Sequence, residues 1–326
     1  MCTAVSCRLK HHYFGRNLDL DYGYAEQVVI TPRNYKLNFR CCEAPLQQLA
    51  MIGIATVCDG YPLYYEATNE AGLSAAGLNF PGNAVYHKWT KKANNIAPFE
   101  FIPWVLSQCT TVEQACALLG KANICTIPFS DTLPLSPLHW IIADREKSIT
   151  AEPMEEGLVI RENPVGVLTN NPPFDYHMHN LVNYLNLTPN EPLNRFSGKL
   201  TLQPYSLGMG AIGLPGDFSS ASRFIRAAYV KSNITTPDHE PDCVGQMFHI
   251  LSSVAQYDGC VVASRGFEKT RYTCCCNTDT GIFYYNTYEN RQINAIAMHE
   301  ENLDRDDLII YPMIASQNIH WQAREH

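Results

Sequence analysis

Residues 138–169 read LHWIIADREKSITAEPMEEGLVIRENPVGVLT. Four runs of strand character, LHWIIAD, SITAE, GLVIRE and VGVLT, are separated by charged or glycine-containing turns, with no gap long enough for a helix. A parallel pair needs a crossover of a dozen or more residues, so antiparallel hairpins fit this stretch best. Upstream, residues 48–57 (QLAMIGIATV) and 72–80 (GLSAAGLNF) read as further short strands. Residues 98–120 change to two helices, the second with Thr110 or Thr111 as N-cap, Glu113 or Gln114 three on, and Gly120 as its stop. Helices are expected at 174–185, 219–230 and 243–257, with polar loops at 188–194 and 232–242, and RYTCCCN, GIFYYNTY and INAIAMH make a closing run of strands. Strand blocks alternating with helix blocks fit α+β layering better than a βαβ repeat.

The chain has 326 residues, 46% hydrophobic and 17% charged, enough apolar material for a sizeable core in one domain spanning 1–326. Net charge is −8 and no block of Lys and Arg stands out, which argues against nucleic acid as a partner. No apolar run approaches the roughly 20 residues that span a bilayer, and the start MCTAVSCRLKHHYFGRN lacks the apolar stretch of a signal peptide. The expectation is therefore a soluble cytoplasmic protein with no membrane partner. In that compartment the 13 cysteines read as free thiols rather than a disulfide framework. Cys274, Cys275 and Cys276 alternate faces in a strand and cannot converge on one zinc.

Other motifs fail on context. Gly208, Gly210 and Gly213 spell G-x-G-x-x-G, but the turn Leu214-Pro215-Gly216-Asp217 follows before any helix, so a glycine-rich active-site loop is preferred to a dinucleotide site. Asp19-Leu20-Asp21 with Gly23 resembles an EF-hand start, yet its final ligand position falls on Ile30. No metal and no cofactor is expected, and His139, before Trp140, reads as a packing residue. The sequons at Asn186 and Asn233 are background.

The second residue carries the chemistry. Cysteine is small enough for the initiator methionine to be removed, which would leave Cys2 with a thiol and a free α-amine on one residue. An α-amine of pKa about 7.7 to 8.0 can take the proton of a thiol of pKa near 8.5, so nucleophile and base come together without a histidine.

Met1-Cys2-Thr3, Gly15-Arg16-Asn17-Leu18-Asp19 and Asn79-Phe80-Pro81 resemble the start of the choloylglycine hydrolase family, N-terminal nucleophile amidases that include bile salt hydrolases and penicillin V acylases. Leu168-Thr169-Asn170-Asn171-Pro172, Leu214-Pro215-Gly216-Asp217-Phe218, Ser222-Arg223-Phe224 and Tyr284-Tyr285-Asn286-Thr287-Tyr288-Glu289-Asn290 continue the match in order over nearly the whole chain. The resemblance implies an αββα sandwich, two antiparallel sheets between helical layers. It implies Cys2 as nucleophile, Asp19 holding the amine, Arg16 beside the sulfur, Asn170 and the Asn79 N–H as oxyanion donors, and Arg223 supporting the charge network. Leu18, Tyr24, Tyr65, Phe129, Leu133 and Leu138 are nominated as substrate-binding from the family's loops, each of which could equally be core.

The implied activity is hydrolysis of glycine- or taurine-conjugated bile salts by a gut-bacterial homotetramer. Alternatives are cleavage of penicillin V or acyl-homoserine lactones and, outside enzymes, a steroid-binding or thiol-redox protein. Asn79 favours the bile salt reading, because the acylases tend to carry Tyr there. Tyr205-Ser206-Leu207-Gly208 departs from the Ser-Arg pattern of some members and leaves glycine versus taurine preference open.

Overall fold

The structure is a computed structural model that describes residues 1–91 and 93–322; residue 92 and the last four of the expected 1–326 unit lie outside it. In chain order the strands are β1 (Cys2–Arg8), β2 (His12–Leu20), β3 (Gln27–Thr31), β4 (Met51–Cys58), β5 (Tyr61–Asn69), β6 (Ser74–Asn79), β7 (Asn94–Ile96), β8 (Ala122–Ile124), β9 (Leu138–Ala143), β10 (Ser148–Met154), β11 (Gly157–Glu162) and β12 (Val167–Leu168). After the central helices come β13 (Val262–Ala263), β14 (Gly266–Phe267), β15 (Lys269–Asn277), β16 (Ile282–Thr287), β17 (Asn294–Ala297) and β18 (Ile309–Pro312). They form a six-stranded sheet, β12-β1-β2-β15-β16-β17, and an eight-stranded sheet, β11-β10-β9-β6-β5-β4-β3-β18, both antiparallel throughout.

The hairpins expected in 138–169 form as β9, β10 and β11, but the fourth run leaves that sheet. Val167 and Leu168 pair with Val5 and Ala4 of β1, so the chain crosses between sheets just before Asn170. Two strand signals were too weak to read: β18, which closes an edge against β3, and the short parallel pair β7–β8.

Alternation along the strands divides the layers. Cys2, Ala4, Arg16, Leu18, Tyr272 and Cys274 share the face of the six-stranded sheet that meets the other sheet, as the registers Cys2–Leu18, Ala4–Arg16 and Cys274–Arg16 require. The opposite face meets α3 (Phe174–Leu181), α4 (Ser220–Asn233) and α5 (Glu240–Ser252), which bury Phe224, Ile225, Met247 and Leu251. On the far side of the eight-stranded sheet lie α1 (Phe101–Leu106) and α2 (Val112–Leu119), where Phe101 stacks on Trp140 at 4.0 Å. The four layers are those of an αββα sandwich.

Helix ends follow their signals. Thr111 caps α2 by accepting from the Gln114 N–H, and Gly120 ends it. The expected loop 232–242 is shorter than its polarity suggests, since α4 runs to Asn233 and α5 starts at Glu240. Gly208 and Gly213 take left-handed φ of 82° and 97° around a 3-10 turn over Met209–Ala211, packed on Thr188 and Asn190; this is not a strand-to-helix phosphate turn. All 13 cysteines are free. Among the described residues no helix is long and apolar enough to cross a membrane.

Gly15 shows why the Gly-Arg-Asn-Leu-Asp run begins as it does. A Cβ there would collide with the Cys274 carbonyl oxygen and come within 2.7 Å of the Cys275 Cβ. Gly15→Ala should therefore lower stability by about 1–3 kcal/mol, read as a reduced urea midpoint at unchanged slope; a midpoint equal to wild type would contradict the close approach of β2 and β15.

Candidate active site

The first residue of β1 lies at the junction of four segments. The Cys2 backbone N–H donates to Asn170 Oδ1 at 2.9 Å, and Arg223 Nη2 donates to the same oxygen at 2.7 Å. Arg223 Nη1 donates to the Cys2 carbonyl at 2.5 Å and to Thr3 Oγ1 at 2.7 Å. With Oδ1 held by two donors, the Asn170 amide has one orientation, and its Nδ2 donates to the Asn79 carbonyl at 2.7 Å. One amide thus joins Cys2, Arg223 and the end of β6.

Asp19 sits on the helix-facing side of β2, fully buried. Its Oδ1 accepts from Thr270 Oγ1 at 2.7 Å, and Thr270 is itself oriented by the Gln256 N–H at 2.8 Å. Asp19 Oδ2 has no hydrogen-bond partner among the described residues; Arg223 Nη1 is 3.9 Å away. Burial pushes the Asp19 carboxyl up from its ordinary range, and the nearby Arg223 charge opposes the rise. Met1 occupies the mouth. Its ammonium donates to the Asp19 carbonyl at 2.8 Å and pairs with Glu268, while its carbonyl accepts from the Asp19 N–H at 3.0 Å.

Arg16 approaches from the inter-sheet side. Its Nη1 donates to the carbonyls of Tyr65 (2.9 Å) and Gly77 (2.8 Å) and lies 3.6 Å from Glu66 Oε2. Burial alone would depress its pKa, but the negative ends of Cys2, Tyr272 and Glu66 outweigh it and the pKa moves up. Arg16 is therefore a permanent positive charge beside Cys2.

Local folding fixes these groups. Asp217 accepts from the Ser219 N–H at 2.9 Å and from Ser222 Oγ at 2.5 Å, tying the Leu-Pro-Gly-Asp turn to the first turn of α4, where Arg223 sits. The Asn170 N–H donates to Ser220 Oγ at 2.8 Å and its carbonyl accepts from His177 at 2.9 Å. His139 stacks on Phe80 at 4.2 Å, so it is a packing residue. It also bridges Glu152 (3.1 Å) and the Thr169 carbonyl (3.0 Å), a polar role that its neighbours in sequence do not betray.

All six candidate catalytic residues thus meet in one neighbourhood. The six nominated substrate residues divide. Leu18 lies opposite Cys2 in the sheet. The Thr56 hydroxyl joins the Tyr24 carbonyl (3.0 Å) to the Tyr65 hydroxyl (2.9 Å). Phe129 instead packs edge-on against Phe99 with Arg40 above it, Leu138 packs with the second core under the helices, and Leu133 is held in a turn by Ser130. A cleft of about 290 Å³ opens beside Tyr24, lined by Ala25, Arg271, Tyr272 and Met313.

A four-layer antiparallel sandwich with a cysteine at the head of a central strand, caged by buried ionic groups, is the architecture of an N-terminal nucleophile amidase. The family model described as linear amide C–N hydrolases, choloylglycine hydrolase family, matches residues 2–311, and the chain belongs to that family. It is 50% identical over 314 residues to the bile salt hydrolase/transferase of Lactiplantibacillus plantarum, covering 96% of this chain and 97% of that one. A crystal structure of a variant of the conjugated bile acid hydrolase from Clostridium perfringens superposes with a TM-score of 0.90 at 38% identity, over 98% of this chain and 99% of that one. Penicillin V acylase from Agrobacterium tumefaciens shares the fold, with a TM-score of 0.73 at 16% identity over 95% and 90% of the two chains.

The cage is an interlocked charge system. Arg223→Met would strand the Asp19 carboxylate, so it should cost about 3–5 kcal/mol of unfolding free energy. Adding Asp19→Asn should recover part of that loss in urea melts, and a double variant no more stable than the single one would show that Asp19 and Arg223 are not coupled.

Proposed function

We propose that the chain hydrolyses the amide bond of glycine- or taurine-conjugated bile salts, with Cys2 as nucleophile in a form that begins at Cys2 within a single 1–326 unit. The observation that carries this reading is the buried cage at the Cys2 nitrogen. Asn170 Oδ1 already accepts from that nitrogen, and a carboxylate oxygen without a hydrogen-bond partner, Asp19 Oδ2, lies in the same cage. Such a cage holds an amine close to its own thiol.

In the proposed cycle the α-amine takes the thiol proton and the sulfur attacks the amide carbonyl carbon, giving a tetrahedral oxyanion. The ammonium then gives its proton to the departing nitrogen, glycine or taurine leaves, and the bile acyl group remains as a thioester on Cys2. Water, deprotonated by the same amine, attacks the thioester and releases the bile acid and the free thiol. The Asn170 amide N–H and the Asn79 N–H serve as oxyanion donors, each worth roughly 3 to 4 kcal/mol of barrier. Arg16 favours thiolate, Asp19 holds the ammonium, and Arg223 holds Asn170 in the orientation that offers its N–H.

Of the six nominated residues, Leu18, Tyr24 and Tyr65 form the proposed apolar wall for the steroid plate, whereas the positions of Phe129, Leu133 and Leu138 do not support the same role. The working assembly in this proposal is a cytoplasmic homotetramer. The names of the relatives support bile salts over penicillin V.

Conjugated bile salts should give kcat/KM at least about tenfold above penicillin V, a gap of ~1.4 kcal/mol in transition-state binding. Cys2→Ser should cut bile salt turnover by at least about a thousandfold while the fold persists by circular dichroism. Equal or better efficiency on penicillin V would replace the substrate assignment, and near-wild-type turnover by Cys2→Ser would move the nucleophile elsewhere.

A further inference from the structure

Behind Arg16, between the sheets and away from the mouth, lies a second buried carboxylate for which the catalytic cycle has no use. Glu66 is 2% exposed and belongs to β5, in the sheet opposite Cys2. Its Oε2 accepts from the Tyr272 hydroxyl at 2.7 Å and lies 3.6 Å from Arg16 Nη1. Its Oε1 accepts from the Ile54 N–H at 3.2 Å and from the Cys274 thiol at 3.4 Å. The titratable groups that face it are thus Arg16 from β2 and Tyr272 and Cys274 from β15, with Tyr65 beside it on its own strand. Arg16 is the one permanent charge among them, and it also feels Cys2, on the same face of the neighbouring strand.

Packing does not demand a carboxylate in this position, since Gln would fill nearly the same volume and keep one of the two accepting oxygens, with an NH2 group in place of the other. What Gln would lack is the charge. We propose that Glu66 is a positioning residue that acts through Arg16: as a buried counter-charge it divides the guanidinium's field between itself and the Cys2 sulfur, and so sets how readily the Cys2 thiol ionises.

The proposal rests on the reading of Cys2 as nucleophile. Opposite charges within a few ångströms favour each other's ionised forms, and a second anion sharing the same cation weakens that benefit for the first. Burial raises the Glu66 carboxyl to about 7, with Arg16 and the Tyr272 hydroxyl pulling the other way. Glu66 therefore exchanges its proton in the range where the enzyme must hold a thiolate, and the two titrations are coupled. When Glu66 is protonated, the whole Arg16 field serves the sulfur. When it is ionised, the field is shared.

The test is the pH dependence of iodoacetamide alkylation at Cys2, read by mass spectrometry of the N-terminal peptide in full-length processed enzyme. In Glu66→Gln the alkylation rate should match wild type well below pH 7, where Glu66 is already protonated, and be up to about tenfold faster above it, where Glu66 would be ionised, so that the midpoint moves to lower pH by up to about one unit. The midpoint of the acid limb of kcat/KM for a glycine-conjugated bile salt should move with it. Glu66→Asp, which restores the charge, should return the curve to within about 0.3 unit of wild type. Tyr272→Phe removes a donor that stabilises the carboxylate, so its curve should fall between wild type and Glu66→Gln, and this variant serves even if Glu66→Gln folds poorly.

A merely structural role would change stability and leave the alkylation curve in place. Wild-type pH dependence in Glu66→Gln and Tyr272→Phe, or a shift to higher pH, would overturn the proposal. Cys2→Ser, assayed in parallel, separates the two ideas: if it turns over bile salts, the nucleophile assignment fails whatever Glu66 does. If it is inactive and the Glu66 variants alkylate as wild type, only the present inference fails.

Discussion

The site depends on keeping a carboxylate dry. Asp19 is wholly buried, satisfied on one oxygen by Thr270, and its other oxygen has no hydrogen-bond partner among the described residues, with the Arg223 charge 3.9 Å away. A buried carboxylate left this way is costly unless a cation completes it. The surrounding structure is arranged around that demand. The start of α4 brings Arg223, the crossing strand β12 brings Asn170 beside it, and the pairing of β1 with β2 delivers the Cys2 nitrogen to the same place. Met1 fills the mouth with an ammonium that pairs with Glu268 rather than with Asp19 Oδ2.

The sandwich gives the site two electrostatic sides. On the helix face, Asp19, Arg223 and Asn170 deal with the nitrogen. Between the sheets, Arg16 lies on the face that carries Cys2, with Glu66 3.6 Å behind it. Because strand alternation sends Arg16 and Asp19 to opposite faces of β2, two residues of one short run serve both sides, and a register slip of one residue would exchange them. Gly15 belongs to the same design, since it lets β15 approach closely enough for Thr270 and Cys274 to reach their partners.

Much of this was legible. Hydrophobic alternation and short turns gave the antiparallel sheets, and Thr111 and Gly120 marked α2 because capping is a local matter of one side chain and one N–H. The six catalytic candidates came from ordered motifs that no period or propensity would single out. What escaped was non-local. Val167 and Leu168 look like any hairpin strand, and only the partner sheet decides where they pair. The three-residue extensions of α4 and α5 into a polar segment were hidden because helix ends tolerate polar residues as well as loops do. Glu66 in YPLYYEATN carries no motif of its own, and nothing in its neighbours announces Arg16 some fifty residues away. Leu138, nominated by loop register, packs against the second core and Phe129 against Phe99, where apolar character alone could equally have put them.

The central claim is that the base is the α-amine of Cys2 itself. The measurement that bears on it most directly is bile salt turnover against the fraction of chains beginning at Cys2, determined by intact mass on preparations that differ only in how completely Met1 has been removed. The account predicts that activity is proportional to that fraction and extrapolates to zero for the chain that retains Met1, since an amide nitrogen has no basic lone pair. Full activity in a preparation whose mass includes Met1 would contradict it.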